Sequence, residues 1–133
     1  MTNLLGRFRD PLYGLARMVI GFLYACHGAQ KLFGLLGGKQ NLHQPLMLTA
    51  GIVEFFAGVM IAIGLLAPIA ALVASGEMAV AYFKMHAPRG FWPIQNMGEA
   101  AVFFCFFFLF VAAYGSGRYS VDGMLRSGKG GGT

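Results

Sequence analysis

The chain has 133 residues, of which 57% are hydrophobic and 11% charged, and its formal net charge is +5. A soluble domain averages about 45–50% apolar and about 25% charged residues, so this composition indicates one membrane domain rather than a water-soluble globule. The basic residues lie mostly at the edges of apolar runs and form no stripe interleaved with aromatic residues. This pattern argues against a nucleic-acid partner and for contact with the headgroups of a lipid bilayer.

The first predicted helix covers residues 12–36 and follows a short basic lead at residues 1–10. Its apolar run contains His27 and Lys31, whose spacing of four places both side chains on one face of a helix. A charge inside an apolar span costs about 2.5–3.5 kcal/mol on insertion scales, so it usually has a partner. Arg17, nearer the start of this helix, is expected to meet a lipid phosphate or a helix end.

The next two helices are predicted at residues 46–66 and 69–85, and each contains a carboxylate within its apolar run. These carboxylates are Glu54 in the second helix and Glu77 in the third. Lys84 lies two helical turns beyond Glu77 and is predicted to share its face. The short break between the two helices predicts that they are antiparallel neighbours.

The fourth helix is predicted at residues 97–114, directly after Asn96. Glu99 lies in its first turn, where a carboxylate gains from the helix dipole. The rest of this helix is rich in phenylalanine and apolar all round, as a helix in contact with lipid tolerates. Residues 126–133 are predicted to form a flexible glycine-rich tail, which leaves residues 11–125 as a single transmembrane domain.

The pattern as a whole predicts an all-α fold, namely an antiparallel four-helix bundle integral to the membrane. Segments of about 17–25 residues cross a bilayer, and four crossings place both termini on the same side. Basic residues are slightly more numerous on the terminal side, which favours cytoplasmic termini. That side has Arg7, Arg9, Arg118, Arg126 and Lys129, and the loop side has Lys31, Lys39, Lys84 and Arg89.

The ionisable groups of the four helices are expected to meet in the outer half of the bundle. At a rise of ~1.5 Å per residue, His27, Glu54 and Glu77 lie ~12–13 Å below the outer ends of their helices. Charges persist in a low-dielectric interior only when they are paired or hydrogen-bonded. The candidate residues of this polar pocket are His27, Lys31, Glu54, Glu77, Lys84, Asn96 and Glu99.

Two interpretations of this constellation stay open. One is a pocket that binds a small molecule or a quinone headgroup, or that relays protons. The other is a structural plug of ion pairs that fix the register of the helices, although buried pairs are weak evidence of stability. Neither haem nor metal is expected, because His27 and His86 differ too much in predicted depth to share a haem. Cys26 could end a lipoprotein signal, but Tyr24 is large for its position there, which favours an uncleaved helix.

Glycines and polar residues recur in a distinctive order across residues 12–125. They are Arg17, Gly21, His27-Gly28, Lys31-Leu32-Phe33-Gly34, Gly51, Glu54, Gly58, Gly64-Leu65, His86, Asn96, Glu99 and Gly115-x-Gly117-Arg118-Tyr119-Ser120-x-Asp122. No single motif is decisive, but the order and spacing together resemble the DoxX family of small bacterial membrane proteins.

The resemblance implies a multi-pass protein of four helices in the bacterial inner membrane. The wider DoxX/DoxD grouping includes subunits of a thiosulfate:quinone oxidoreductase, and some members are linked to membrane assemblies that handle thiol and oxidative stress. A quinone is therefore the candidate ligand, and a soluble or membrane oxidoreductase is the candidate partner.

Several points are left open by the resemblance. It assigns no catalytic residue, and it does not decide whether the chain is an enzyme or self-associates into a homo-oligomer. The other interpretation is a non-catalytic membrane anchor or a small-molecule permease whose ion pairs are structural.

Overall fold

A computed structural model describes residues 3–129, which form helices and turns and contain no strand. The α-helices are α1 (Arg9–Phe33), α2 (Pro45–Ile63), α3 (Ala67–Ala81), α4 (Pro93–Asn96), α5 (Glu99–Tyr114) and α6 (Val121–Lys129). A 3₁₀ turn at Gly6–Phe8 leads into α1, and a π-helical turn at Tyr82–His86 extends α3. A second 3₁₀ turn follows at Ala87–Arg89. The predicted all-α class is therefore confirmed.

Helices α1 and α2 form the most extensive helix pair. They are antiparallel, since Gly21 lies against Ala62 whereas Gly28 lies against Phe55. A Cβ atom at Gly21 would lie 2.6 Å from the Ala62 amide nitrogen, so a larger residue would push the helices apart. Small residues of this kind let two helix backbones approach closely, which brings the polar side chains of both helices within reach of each other.

Helices α3 and α5 form the second large pair, and α3 also packs against α2. The α3–α5 pair is antiparallel, because Ser75 donates to the Cys105 carbonyl at 2.8 Å while Tyr82, further along α3, lies against Gly98. Side chains from all four helices then fill one core. Its most deeply buried hydrophobic members include Tyr24, Ile61, Ala71, Ala74, Phe108 and Val111.

Special backbone conformations set the helix ends. The helix predicted over residues 12–36 ends three residues earlier, because Gly34 adopts a left-handed conformation with φ of 66°. The helix predicted over residues 69–85 is α-helical only to the end of α3 and continues as the π turn. In the predicted tail, residues 126–129 form the last turn of α6, and residues 130–133 lie outside the described residues.

Asp122 fixes the start of α6 against the connection between α2 and α3. Its Oδ1 atom accepts a hydrogen bond from the Leu66 backbone N–H at 3.0 Å, and its Oδ2 atom accepts one from the Ser116 hydroxyl at 2.5 Å. The Asp122 backbone N–H donates to the Gly64 carbonyl at 3.0 Å. These bonds tie α6 to the end of the molecule where α2 stops and α3 begins.

By length and composition, α2 is the one helix among residues 3–129 that is long and apolar enough to cross a membrane. Helix α5 is also apolar but has 16 residues. Large apolar side chains are nevertheless exposed on α1, α2, α3 and α5, among them Phe22, Phe56, Leu72 and Phe106. The outward faces of these four helices thus carry large apolar side chains.

Candidate functional site

The centre of the candidate site is an ion pair between α1 and α2. Lys31 Nζ lies 2.6 Å from Glu54 Oε2, and the side chains of Lys31 and Glu54 are 21% and 3% exposed. Gly51, one turn before the carboxylate, leaves room for the lysine stem, since a Cβ atom there would lie 3.0 Å from Lys31 Cβ. The structure thus brings together two of the residues that the sequence predicted for the pocket.

A second carboxylate, Glu77 of α3, extends this pair across the core. The Tyr24 hydroxyl donates to Glu77 Oε2 at 2.9 Å, and the Glu77 carboxyl group is a close neighbour of the Glu54 carboxyl group. We call these four side chains, contributed by α1, α2 and α3, the polar cluster: Tyr24, Lys31, Glu54 and Glu77.

The charges of the polar cluster do not cancel if all of its acidic and basic groups are ionised. Two carboxylates then face one ammonium group, and the excess negative charge lies in an apolar interior. Burying excess charge is costly, and the contacts that offset this cost are the ion pair of Lys31 with Glu54 and the hydrogen bond from Tyr24 to Glu77.

His27 lies at the edge of the polar cluster. It is on the same face of α1 as Lys31, its side chain is exposed, and its ring contacts the Phe104 ring of α5 edge-on at a centroid distance of 5.8 Å. Phe104 also packs on Tyr24, with ring centroids 5.6 Å apart. Aromatic rings of α5 thus cover the cluster next to the exposed imidazole.

Two of the predicted pocket residues, Lys84 and Glu99, are exposed and lie outside the polar cluster. Lys84 is in the π turn, which changes the helical register, so its sequence distance from Glu77 no longer places both residues on one face. Glu99 is the first residue of α5 and lines an apolar cleft of about 310 Å³ together with Trp92 and Phe103. These residues belong to the surface near the loop between α3 and α5.

Asn96, also predicted for the pocket, is buried with 1% exposure and organises that same loop. Its Nδ2 atom donates to the Gly90 carbonyl at 2.7 Å and to the Tyr82 hydroxyl at 3.1 Å. Its Oδ1 atom accepts from the Gly98 backbone N–H at 2.9 Å, and its own carbonyl lies 3.2 Å from His86 Nδ1. The amide is therefore used in closing the loop and not in the polar cluster.

Tyr24 is a member of the cluster that was not among the predicted pocket residues. Its side chain is fully buried, and a buried tyrosine hydroxyl usually finds a hydrogen-bond partner. Tyr24 precedes Lys31 by two helical turns on the same face of α1, which is the sequence signal that could have identified it.

Arg17 occupies the opposite end of α1 from Lys31 and is 2% exposed. It donates from Nε to the Ile61 carbonyl at 2.9 Å, from Nη2 to the Tyr119 carbonyl at 2.8 Å, and from Nη1 to the Ser116 carbonyl. Of its two expected partners, a helix end is the one observed, since Ile61 lies in the last turn of α2.

The buried polar side chains are hydrogen-bonded throughout the described part of the chain. Every buried side-chain nitrogen or oxygen atom in residues 3–129 has a partner. Within the same residues, no group of three or more His, Cys, Asp and Glu side chains could hold a metal ion. The side chains of the polar cluster contribute hydrogen bonds and an ion pair to this interior.

Comparison with known protein families identifies one family for this chain. A family model described as DoxX matches residues 13–87, a range that includes all four members of the polar cluster. An uncharacterized protein of Haemophilus influenzae is 32% identical over 127 residues, which cover 90% of this chain and 95% of the relative. No solved structure gives a significant match.

Proposed function

The chain belongs to the DoxX family, and on that premise we propose that it is a multi-pass inner-membrane protein that serves as the membrane subunit of a redox assembly. In this proposal α1, α2, α3 and α5 form a four-helix bundle in the bilayer, with both termini in the cytoplasm. The polar cluster receives a quinone or a small sulfur compound. The assembly's electron carrier is supplied by an oxidoreductase partner or by the quinone itself.

The outward faces of the four long helices support the membrane placement. Soluble monomers rarely expose contiguous apolar surface on this scale, whereas hydrocarbon accommodates it. Helix α1 has 25 residues. At a rise of ~1.5 Å per residue, its length exceeds the thickness of the hydrocarbon core of a bilayer. Helix α3 and the π turn together run without a break over residues 67–86, which reaches spanning length.

The observation that carries the functional proposal is the ion pair of Lys31 and Glu54, continued to Glu77 and Tyr24, in an otherwise apolar interior. Ionisable groups at membrane depth are costly and most often have a function. In this proposal Lys31 and the exposed His27 hold an anionic or carbonyl oxygen of the ligand. Glu54 and Glu77 supply protons, which the reduction of a quinone takes up together with electrons.

A second candidate function is a non-catalytic membrane anchor or a small-molecule permease. The observation that favours it is the complete pairing of buried side-chain nitrogen and oxygen atoms in residues 3–129, which suits a structural role. In addition, neither the cleft beside Glu99 nor the cleft beside Asp122 is lined by a member of the polar cluster. Under this candidate the cluster fixes the register of α1, α2 and α3.

The experiment that separates the two candidates compares Glu54→Gln and Glu77→Gln with Glu99→Gln, a matched change at an exposed glutamate outside the cluster. The readouts are the quinone that copurifies with the detergent-solubilised protein, the survival of cells under thiol and oxidative stress, and the melting temperature. Loss of quinone and of the stress phenotype in folded Glu54 or Glu77 variants, but not in the Glu99 variant, supports the redox role. A change of melting temperature alone supports the structural role.

A further inference from the structure

Helix α6 has two chemically different faces and no buried residue. Helical spacing groups Val121, Met124 and Leu125 on one side and places Arg126 away from them, while Lys129, four residues after Leu125, lies at the border of the apolar side. Met124 and Leu125 are 68% and 58% exposed. A helix with an exposed apolar side and a basic side is typical of segments that lie in the plane of a membrane interface.

The position of α6 is fixed by the fold. Besides the bonds of Asp122 to Leu66 and Ser116, the Gly123 backbone N–H donates to Ser120 Oγ at 2.9 Å. A Cβ atom at Gly123 would lie 2.5 Å from the Arg118 carbonyl oxygen, so the helix is held directly against the preceding turn. Its amphipathic surface is therefore presented at one defined level, just beyond the ends of α2 and α5.

A cleft of about 320 Å³ opens between α6 and the start of α3. Its lining includes Pro68 and Leu125 on the apolar side and Arg126 and Lys129 on the basic side. The one carboxylate in the lining, Asp122, accepts hydrogen bonds from Leu66 and Ser116 and keeps its charge, so with Arg126 and Lys129 the lining has two positive groups, one negative group and a formal net charge of +1. Arg126 and Lys129 thus give this end of the cleft the character of an anion site next to apolar surface.

The surroundings of α6 are also basic. The Tyr13 hydroxyl donates to the Gly115 carbonyl at 2.5 Å, so the start of α1 lies beside the turn that leads into α6. Arg7 and Arg9, just before and at the start of α1, and Arg118 in that turn are exposed. The charge of this end of the molecule is complementary to a surface of anionic headgroups, where each nearby lysine or arginine contributes attraction.

We propose that α6 lies in the headgroup region of the membrane and that the cleft beside it seats an acidic phospholipid. Arg126 and Lys129 contact the phosphodiester, and Leu125 and Met124 contact the glycerol and the first part of the acyl chains. The proposal rests on the membrane placement given above and is independent of the redox role of the polar cluster.

The test uses the full chain in nanodiscs of phosphatidylcholine, with and without phosphatidylglycerol. We expect the melting temperature to be several degrees higher with phosphatidylglycerol, and native mass spectrometry to show retained phosphatidylglycerol favoured on the order of tenfold over phosphatidylcholine. The variant Arg126→Gln/Lys129→Gln should lose both effects. The charge-conserving variant Arg126→Lys/Lys129→Arg should keep most of them, and so should the matched control Lys39→Gln/Arg89→Gln at the other end of the molecule.

Three results would overturn the proposal. Equal loss in the Lys39/Arg89 control would mean that the effect is general surface charge, and stabilisation by inorganic phosphate in pure phosphatidylcholine discs would mean a site for free anions. The absence of any dependence on phosphatidylglycerol would remove the lipid site while leaving the redox proposal intact. A folded chain that does not enter nanodiscs would instead contradict the membrane placement on which both proposals depend.

Discussion

Lys31 and Glu54 form a 2.6 Å ion pair between α1 and α2 in which the carboxylate is nearly inaccessible while the lysine remains partly exposed. The charge that is harder to neutralise from outside is therefore the one on α2. Glu54 also has Glu77 as a neighbour, so the lysine compensates more than one carboxylate. Because one lysine compensates two carboxylates, the loss of stability should differ between removal of the lysine and removal of Glu54.

Removing either partner of the pair should destabilise the protein, and removing both should restore much of the loss. Breaking a buried pair on one side costs about 3–5 kcal/mol, because the remaining charge is left without compensation. We expect Lys31→Met to be at least as costly as Glu54→Gln, since it leaves two carboxylates facing each other. The double variant Lys31→Met/Glu54→Gln should lie closer to the wild type than Lys31→Met does.

Unfolding of the purified proteins in one detergent, followed by circular dichroism, measures these differences as a double-mutant cycle. Strictly additive losses would show that the two side chains are energetically independent, contrary to their contact in the structure.

The close approach of α1 and α2 should be sensitive to a single methyl group. A Cβ atom at Gly58 would lie 2.6 Å from the Ala25 backbone nitrogen, so Gly58→Ala must move one helix backbone against the other. Overpacking of this kind costs about 1–3 kcal/mol. Gly76→Ala is the matched control, because a Cβ atom there meets nothing within 4 Å.

The melting temperature should therefore fall for Gly58→Ala and stay level or rise for Gly76→Ala, since alanine favours a helix more than glycine does. The close packing of α1 on α2 would be contradicted by equal melting temperatures of the Gly58 variant and the wild type.

The sequence predicts the parts of the site that depend on helical spacing. Lys31 and Glu54 lie within regular helices, so the expectation that charges in apolar helices pair was sufficient to assign both to one cluster, although not to match them as partners. The position predicted for Lys84 is wrong because the π turn changes the helical register at the end of α3, and the local sequence does not indicate that turn. The role of Asn96 could not be predicted from helical spacing, because its side chain bonds to the Gly90 carbonyl and the Gly98 N–H, which belong to an irregular loop.

At the end of the chain, the sequence predicted a flexible segment where the structure has a helix. Glycines at 128 and 130–132 favour a flexible tail by composition, and that was the prediction for residues 126–133. The helix forms over Val121–Lys129 because Ser120 Oγ accepts from the Gly123 backbone N–H in its first turn. Asp122 anchors the helix to the fold, since its backbone N–H donates to the Gly64 carbonyl and its carboxylate accepts from the Leu66 N–H. Tertiary contacts outweigh local composition here.

Asp122 should make the stability of this end depend on pH. Burial raises the pKa of the Asp122 carboxyl, but hydrogen bonds from Ser116 and from the Leu66 and Ala67 backbone N–H groups outweigh it and hold the pKa below its ordinary value. A lowered pKa stabilises the fold above the unfolded-state pKa of about 3.9, and this contribution is lost as the pH falls through the lower folded-state value.

The difference in unfolding free energy between the wild type and Asp122→Asn should therefore be constant from neutral pH to about pH 5 and shrink below about pH 4. Ser116→Ala, which removes one donor, should show a smaller difference with the same sign. A difference that grows on acidification would contradict the assignment.

Arg17 should be irreplaceable even by lysine. Its guanidinium reaches the carbonyls of Ile61 in α2 and of Ser116 and Tyr119 in the turn after α5, which one ammonium group cannot bridge in the same geometry. Since hydrogen bonds to charged groups contribute about 1.5–3 kcal/mol each, Arg17→Lys should cost at least about that amount and Arg17→Met more.

Because the hydrogen bonds of Arg17 join the end of α2 to the turn before α6, their loss should also open that turn. Limited proteolysis should then cleave near Arg118 faster in Arg17→Lys than in the wild type, whereas Arg9→Lys, a matched change at an exposed arginine of α1, should leave the rate unchanged. Wild-type stability and protection in Arg17→Lys would show that the guanidinium does not hold the two segments together.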